Sequence, residues 1–418
     1  MNTIHAYPQK YVVPGGRAEN KKKSRPFLRN FFIFETLLFL LFLSMASNAL
    51  AVAPPLDPNQ RVPQRILDSL PPQSGNGRMI TPLVPEVSYG PLKAMGDGVG
   101  GMTLQNYLKT NTSVNLIVVL VEFSDVKMGA TGRADITNMI NSLTAYFREQ
   151  SRNTVTITPT ISAKTYALTQ TMASYGATDN VGQLCRDTVA LADPDINFAN
   201  FQCMMVAHAG FGDETSGTAN GGDDIWSMYW YRSSGSGNLI STSDGVGING
   251  ITIVPEKEYG TTQALGTICH EFGHQLGLPD LYDTTYNTEG GMGKWSLMAT
   301  GNYNGNPKGS KPAFLDPICR KLLGWSDIVN INENQQNFNF EFGKTYRLEK
   351  GGAGAGNDYY YIEKRGLVTG TWDEGLPGEG LLIFHVNGAK EATSEPNNAV
   401  PRLIELKVAS GGDHLTSG

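Results

Sequence analysis

Apolar positions along the chain change their spacing several times, and those changes outline its elements. Leu116–Phe123 is a nearly unbroken apolar run that predicts a strand. Ala134–Arg148 repeats its apolar residues at helical spacing and predicts an amphipathic helix, and Thr154–Ile161 predicts a second strand. A helix around Gln183–Leu191 and a strand over Met204–Ala207, ending at His208, come next. Over Thr261–Leu276, Leu265, Ile268, Phe272 and Leu276 fall in one narrow stripe of a helix. After Leu322–Leu323–Gly324–Trp325 the pattern turns to alternation. Phe338, Phe340 and Phe342 alternate with polar residues, and Tyr359–Ile362, Leu381–Val386 and Leu403–Val408 are strand-like between Gly/Pro turns. The expectation is an α/β (α+β) domain over residues 113–326, followed by a β-sandwich-like domain over 327–418. Residues 52–112, rich in Pro and Gly without sustained periodicity, fit a pro-segment or extended lead-in.

The polar side of the helix near residue 270 carries the chemistry. His270 and His274 stand one turn apart, about 40° from each other, so that both rings can reach one ion. Glu271 lies at the flank of that face, placed to touch a water on the metal without binding the metal itself. Gly277 suits a left-handed helix end and Pro279 cannot continue a helix, so the chain turns and Asp280 can swing back as a third ligand. Glu289, fifteen residues past His274, is the alternative third ligand, although its Gly-rich surroundings predict a loop. With six His in the chain, a chance H-E-x-x-H has an expectation on the order of 0.004. Two imidazoles, one carboxylate and an open fourth position describe a catalytic zinc site. There the pKa of a bound water falls to roughly 7. Glu271 would take its proton and pass it to the leaving amine.

The stretch GTICHEFGHQLGLPDLYD (266–283), followed by GMGKWSLMATGNYNG (291–305), resembles the immune inhibitor A family of secreted zinc metallopeptidases. The resemblance extends to VNLIVVLVEFSD (114–125), VAHAGFGDETSG around His208, GDDIWSMYW (222–230), KPAFLDPICRKLLGW (311–325) and EGLLIFHVN (379–387). It implies a zincin-type catalytic domain, with His270, His274 and Asp280 as zinc ligands and Glu271 as general base. Met298 matches the methionine of a turn beneath the metal, where it would form an apolar floor; a plain core Met fits the same position. Tyr303 could polarise a substrate carbonyl or be an ordinary loop Tyr, and His208 could border the cleft or simply end its strand. Family members usually run on past the equivalent of Gly418, which on this resemblance makes the chain a fragment.

Composition adds compartment and partners. Basic residues (Lys21, Lys22, Lys23, Arg25, Arg29), an apolar run from Leu37 to Ala46, and Ala49–Leu50–Ala51 follow the grammar of a signal peptide over residues 1–51. The product would be secreted, without stable membrane association unless the signal stays uncleaved as an anchor. Residues 1–51 hold seven of the 33 basic and two of the 39 acidic residues, so the remainder is near −11 and nucleic acid is excluded as a partner. Cys185, Cys203, Cys269 and Cys319 allow three pairings if two disulfides form, while Cys269, on the apolar stripe, also suits a buried free thiol. No cysteine precedes Cys185, which rules out a cysteine-based latency switch in the pro-segment. Met95–Gly96–Asp97 offers either an aspartate switch on the metal or a Gly-Asp-Gly turn. The pairs Asp213–Glu214 and Asp223–Asp224 offer oxygen ligands for a structural Ca2+ or are solvated loop residues, and His385 and His414 are expected to be structural. The resulting expectation is a monomeric, secreted zinc endopeptidase acting on protein or peptide substrates. Its alternative is a catalytically silent adhesion or binding protein on the same fold.

Overall fold

The structure, a computed structural model, describes residues 93–95, 104–108, 111–176, 180–216, 223–231, 239–284, 291–332, 338–349, 358–390 and 397–407. The expected signal peptide, Asp97, Glu289 and His414 lie outside the described residues.

In chain order the strands are β1 (Lys93–Met95), β2 (Ser113–Glu122), β3 (Thr156–Ala167), β4 (Cys203–Phe211), β5 (Met228–Tyr231), β6 (Ile240–Ser241), β7 (Val246–Ile248) and β8 (Gly250–Lys257). The strands β9 (Ile328–Ile331), β10 (Thr345–Glu349), β11 (Asp358–Arg365), β12 (Gly380–Asn387) and β13 (Ile404–Leu406) follow. The helices are α1 (Leu104–Leu108), α2 (Gly132–Gln150), α3 (Met172–Gly176), α4 (Val181–Ala192), α5 (Asp213–Ser216), α6 (Leu265–Gln275) and α7 (Pro317–Leu322).

The first sheet has the order β3-β2-β4-β8-β5, parallel except for β5, which runs antiparallel to β8 at the edge. Central strand β2 explains the unbroken apolar run. Leu116, Val118 and Leu120 face one cluster with α2 and α6, while Ile117, Val119 and Val121 face a second with α4, Trp226 and Trp230. A strand covered on both faces needs no polar alternation. Edge strand β3 continues six residues beyond its expected end, because Thr and Lys on a half-exposed edge carry no apolar signal. A smaller sheet of order β1-β7-β6 pairs β1 in parallel with β7.

Helix α6 begins at Leu265, four residues later than its apolar pattern suggests. All eleven of its residues are buried, including the polar ones, so its second face is covered as well as its first. Helix α2 backs it, burying Ile136, Ile140, Leu143, Tyr146 and Phe147. Phe147 packs edge-on against Phe272 of α6, with ring centroids 5.3 Å apart.

Among the described residues the C-terminal strands form one five-stranded sheet of order β13-β12-β11-β10-β9, without the second layer of a sandwich. Its inner residues Tyr359, Tyr361, Phe384, Val386 and Ile404 join the same hydrophobic cluster as α6. The α2 and α6 layer therefore covers this face of the sheet, and the opposite face exposes Leu381 and Ile383. The Phe338–Phe342 alternation is not a strand. Phe338 and Phe340 instead clamp Tyr346 with centroids 5.0 Å away, and Phe342 is exposed. A buried Arg365–Asp373 pair, bidentate with one bond of 2.7 Å, adds a polar tie, since Asp373 also accepts from the Phe314 amide at 3.1 Å.

All four cysteines are buried free thiols, so none of the three pairings forms. Among the described residues no helix is long and apolar enough to cross a membrane. Helix α1 falls within the region expected to be a pro-segment, yet Leu104 and Leu108 are buried in the shared core. Leu104→Ala should therefore cost about 2–5 kcal/mol. Urea unfolding measures this, and a cost under about 1 kcal/mol would place the helix outside the core.

Candidate metal centre

Helix α6 ends as its sequence requires. Gly277 adopts φ +96°, its amide bonding His274 O at 2.9 Å, and the Leu278 amide bonds Gly273 O at 3.0 Å. That reversal carries Asp280 back over the helix. His270 Nε2 and His274 Nε2 lie 3.1 Å apart, and Asp280 Oδ1 lies 3.1 Å from the first and 3.2 Å from the second. A tetrahedral ion with bonds of about 2.05 Å separates its ligands by about 3.3 Å, so the three atoms match one face of such a polyhedron.

Both rings are held from behind. His270 Nδ1 donates to Leu297 O at 2.8 Å and His274 Nδ1 donates to Leu278 O at 2.8 Å. A carbonyl can only accept, which places the proton on Nδ1 and leaves each Nε2 lone pair aimed at the centre. Burial holds the His270 imidazole below its usual pKa, with Asp280 pulling partly the other way. A neutral ring is what metal ligation requires.

Glu271 is fully buried, with Oε1 4.0 Å from His270 Nε2. Burial pushes its carboxyl well above the usual range, and Asp280 and Glu214 add to this, while the Tyr229 backbone offsets it in part. Both Glu271 oxygens and Asp280 Oδ2 are buried without a hydrogen-bond partner of good geometry. Orphaned buried oxygens beside two oriented imidazoles are the donor chemistry that a divalent cation satisfies, so the residues fit zinc. Donor atoms of His270, Glu271 and His274 also lie within 4.8 Å of one another. Asp280 closes the tighter triangle and leaves Glu271 to one side.

Met298 is buried against the helix: a methyl group on Gly273 would come within 2.7 Å of its sulfur. Its carbonyl accepts from the Leu281 amide at 2.7 Å, next to Asp280. Tyr303 is buried too, its phenol raised by burial and by Glu258 and Glu214. His208 sits within β4 with no exposure, Nδ1 donating to Ala209 O at 2.9 Å, and burial lowers its pKa to about 4. Asp213, Glu214 and Asp224 are buried rather than solvated. Glu214 accepts from the Ser227 amide at 3.0 Å and hydroxyl at 2.5 Å, and the acidic pairs lend no support to calcium. His385 lies between Asp358 (3.3 Å) and Glu405 (3.6 Å) in the C-terminal sheet, a structural setting.

The carbonyls of Leu278 and Leu297 are invisible in sequence, because any residue supplies a carbonyl. Ser296 and Asp316 also escape a motif search, although Asp316–Pro317 is a recognisable helix start.

Residues 191–324 match the profile of the immune inhibitor A peptidase M6 catalytic domain. Immune inhibitor A of Bacillus thuringiensis subsp. alesti is 29% identical over 244 residues, 47% of this chain and 35% of that protein. Pre-pro-metalloprotease PrtV of Vibrio cholerae serotype O1 (strain M66-2) is 26% identical over 220 residues, 44% of this chain and 23% of that protein. The aligned parts thus span about a third and a quarter of those relatives. The solved structure of OgpA from Akkermansia muciniphila covers 71% of this chain and 93% of its own at 12% identity, with a TM-score of 0.32, below what establishes a shared fold. Over the segment that carries the metal centre, the chain is immune inhibitor A-like.

Proposed function

We propose that this chain is a zinc-dependent endopeptidase, in which His270, His274 and Asp280 hold the ion and Glu271 is the general base. The observation that carries this reading is the triangle of three donor atoms at 3.1–3.2 Å with an unused buried carboxylate beside it. When bound, zinc supplies Lewis acidity that polarises a carbonyl and acidifies water. Glu271 takes up the proton lost by the attacking water and delivers it to the departing amide nitrogen. Its burial favours this work, since a carboxyl raised above its usual range is a better proton acceptor. A silent binding protein has no use for a carboxylate buried 4.0 Å from an imidazole nitrogen of the triangle.

A protein or peptide substrate is supported by the match to the immune inhibitor A peptidase M6 catalytic domain. The domain reading extends the proposal to an exported chain that sheds residues 1–51 and a pro-segment. The burial of Leu104 and Leu108 in the core supports a pro-segment confined to residues before Leu104.

The test is casein digestion by purified protein, with and without a zinc chelator. Fragments should appear, vanish on chelation, and return when zinc is added back. Folded protein that takes up no zinc under any loading would sink the proposal.

A further inference from the structure

Behind the metal ligands runs a second line of hydrogen bonds that the proposed chemistry does not use. The turn Ser296–Leu297–Met298–Ala299 touches the site twice. Leu297 O holds the His270 ring at 2.8 Å, and Met298 O holds the Leu281 amide, beside Asp280, at 2.7 Å. The turn is itself pinned by one side chain, since Ser296 Oγ accepts from the Met298 amide at 3.1 Å. That hydroxyl has a single proton, which it donates to Asp316 Oδ2 at 2.7 Å. The other oxygen of Asp316, Oδ1, caps helix α7 through the amides of Ile318 (2.9 Å) and Cys319 (3.1 Å). Ser296, Leu297, Met298 and Asp316 have no solvent exposure at all. No water therefore competes for these bonds, and both Asp316 oxygens are occupied.

We propose that Asp316, acting through Ser296, is a positioning residue of the metal centre: it fixes the Leu297–Met298 turn and thereby the placement of His270 and Asp280. This rests on the zinc reading above. An anionic acceptor makes the Ser296 hydroxyl bond directional and strong, and the α7 amides fix the carboxylate in turn. The turn is thus anchored to a helix 20 residues away in sequence. Outer hydrogen bonds of this kind set how tightly a metal is gripped, and their removal typically lowers metal affinity by 10- to 100-fold. The competing role is a helix cap alone. Ser296 separates the two, because it takes no part in the cap.

The experiment measures zinc affinity by chelator competition and the visible spectrum of the cobalt-substituted protein, for wild type, Ser296→Ala, Ser296→Thr and Asp316→Asn. Apo-protein unfolding midpoints serve to normalise the comparison. Ser296→Ala should raise the zinc dissociation constant roughly 10- to 100-fold and shift the cobalt bands, with Ser296→Thr, which keeps the hydroxyl, recovering much of the loss. Asp316→Asn keeps the cap acceptor and should weaken zinc in the same direction. It decides the question on the same readouts should Ser296→Ala not fold. Zinc affinities within twofold of wild type and unchanged cobalt bands in both variants would overturn the inference and leave Asp316 a cap. Wild-type protein that bound no zinc would overturn the zinc reading itself, a result plainly distinct from variants that match a zinc-binding wild type.

Discussion

Glu271→Ala should give a folded protein that still loads zinc but cleaves casein about 10²- to 10⁴-fold more slowly, equivalent to about 3–5 kcal/mol of lost transition-state stabilisation. The separation of the two effects follows from geometry. Glu271 stands outside the triangle of donor atoms, with Oε1 4.0 Å from His270 Nε2, so its loss should leave the proposed ligands in place. Truncation also removes a buried carboxyl that burial already disfavours as an anion, so the variant should be no less stable than wild type. Metal content by elemental analysis, set beside kcat/KM, checks both halves. Wild-type turnover by the variant would strip Glu271 of its role, and loss of zinc would make it a ligand.

The second large effect falls on stability. Gly266→Ala, at a helical position where alanine normally stabilises by about 1 kcal/mol, should instead cost about 3 kcal/mol or more. A Cβ at residue 266 would lie 1.8 Å from Asn302 O and 3.2 Å from Gly309 O, both backbone atoms that cannot rotate aside. The Gly266 amide also bonds Gly309 O at 3.0 Å, so helix and loop are in direct backbone contact. To admit the methyl group, α6 must shift, and His270 lies one turn further along it. Thermal unfolding should show the loss, and zinc affinity should fall with it. An unchanged melting temperature would mean that the two backbones are further apart than described.

Much of this was legible in the sequence, where side chains state their own business. The run Leu116–Phe123 was readable because burial on both faces leaves only apolar choices, and the His270–His274 spacing because a helix fixes which residues share a face. Asp280 was reachable because Gly277 and Pro279 announce the turn that returns it. The failures share a cause, namely a partner that the local pattern does not reveal. Phe338, Phe340 and Phe342 alternate like a strand, but two of them serve Tyr346 as packing neighbours. The single C-terminal layer could not be told from half a sandwich, since either one buries alternate residues. Asp213 and Glu214 sit in loop-like sequence yet are buried, Glu214 by the grip it takes on Ser227, thirteen residues on. The Ser296–Asp316 bond belongs to the same class.

The rings running from Phe272 to Phe147, Tyr146 and Trp372 make contact in series, with centroids 5.3, 5.1 and 5.4 Å apart. This stack joins the helix bearing the two imidazoles to a residue well inside the C-terminal third. Such a protein is not beads on a string. A recombination event or a protease that severed the two parts would leave raw aromatic surface on each, so neither is a portable cassette. Variation is expected to accumulate instead on the outward side of the last sheet, around Leu381 and Ile383, where a change of side chain leaves the shared core undisturbed.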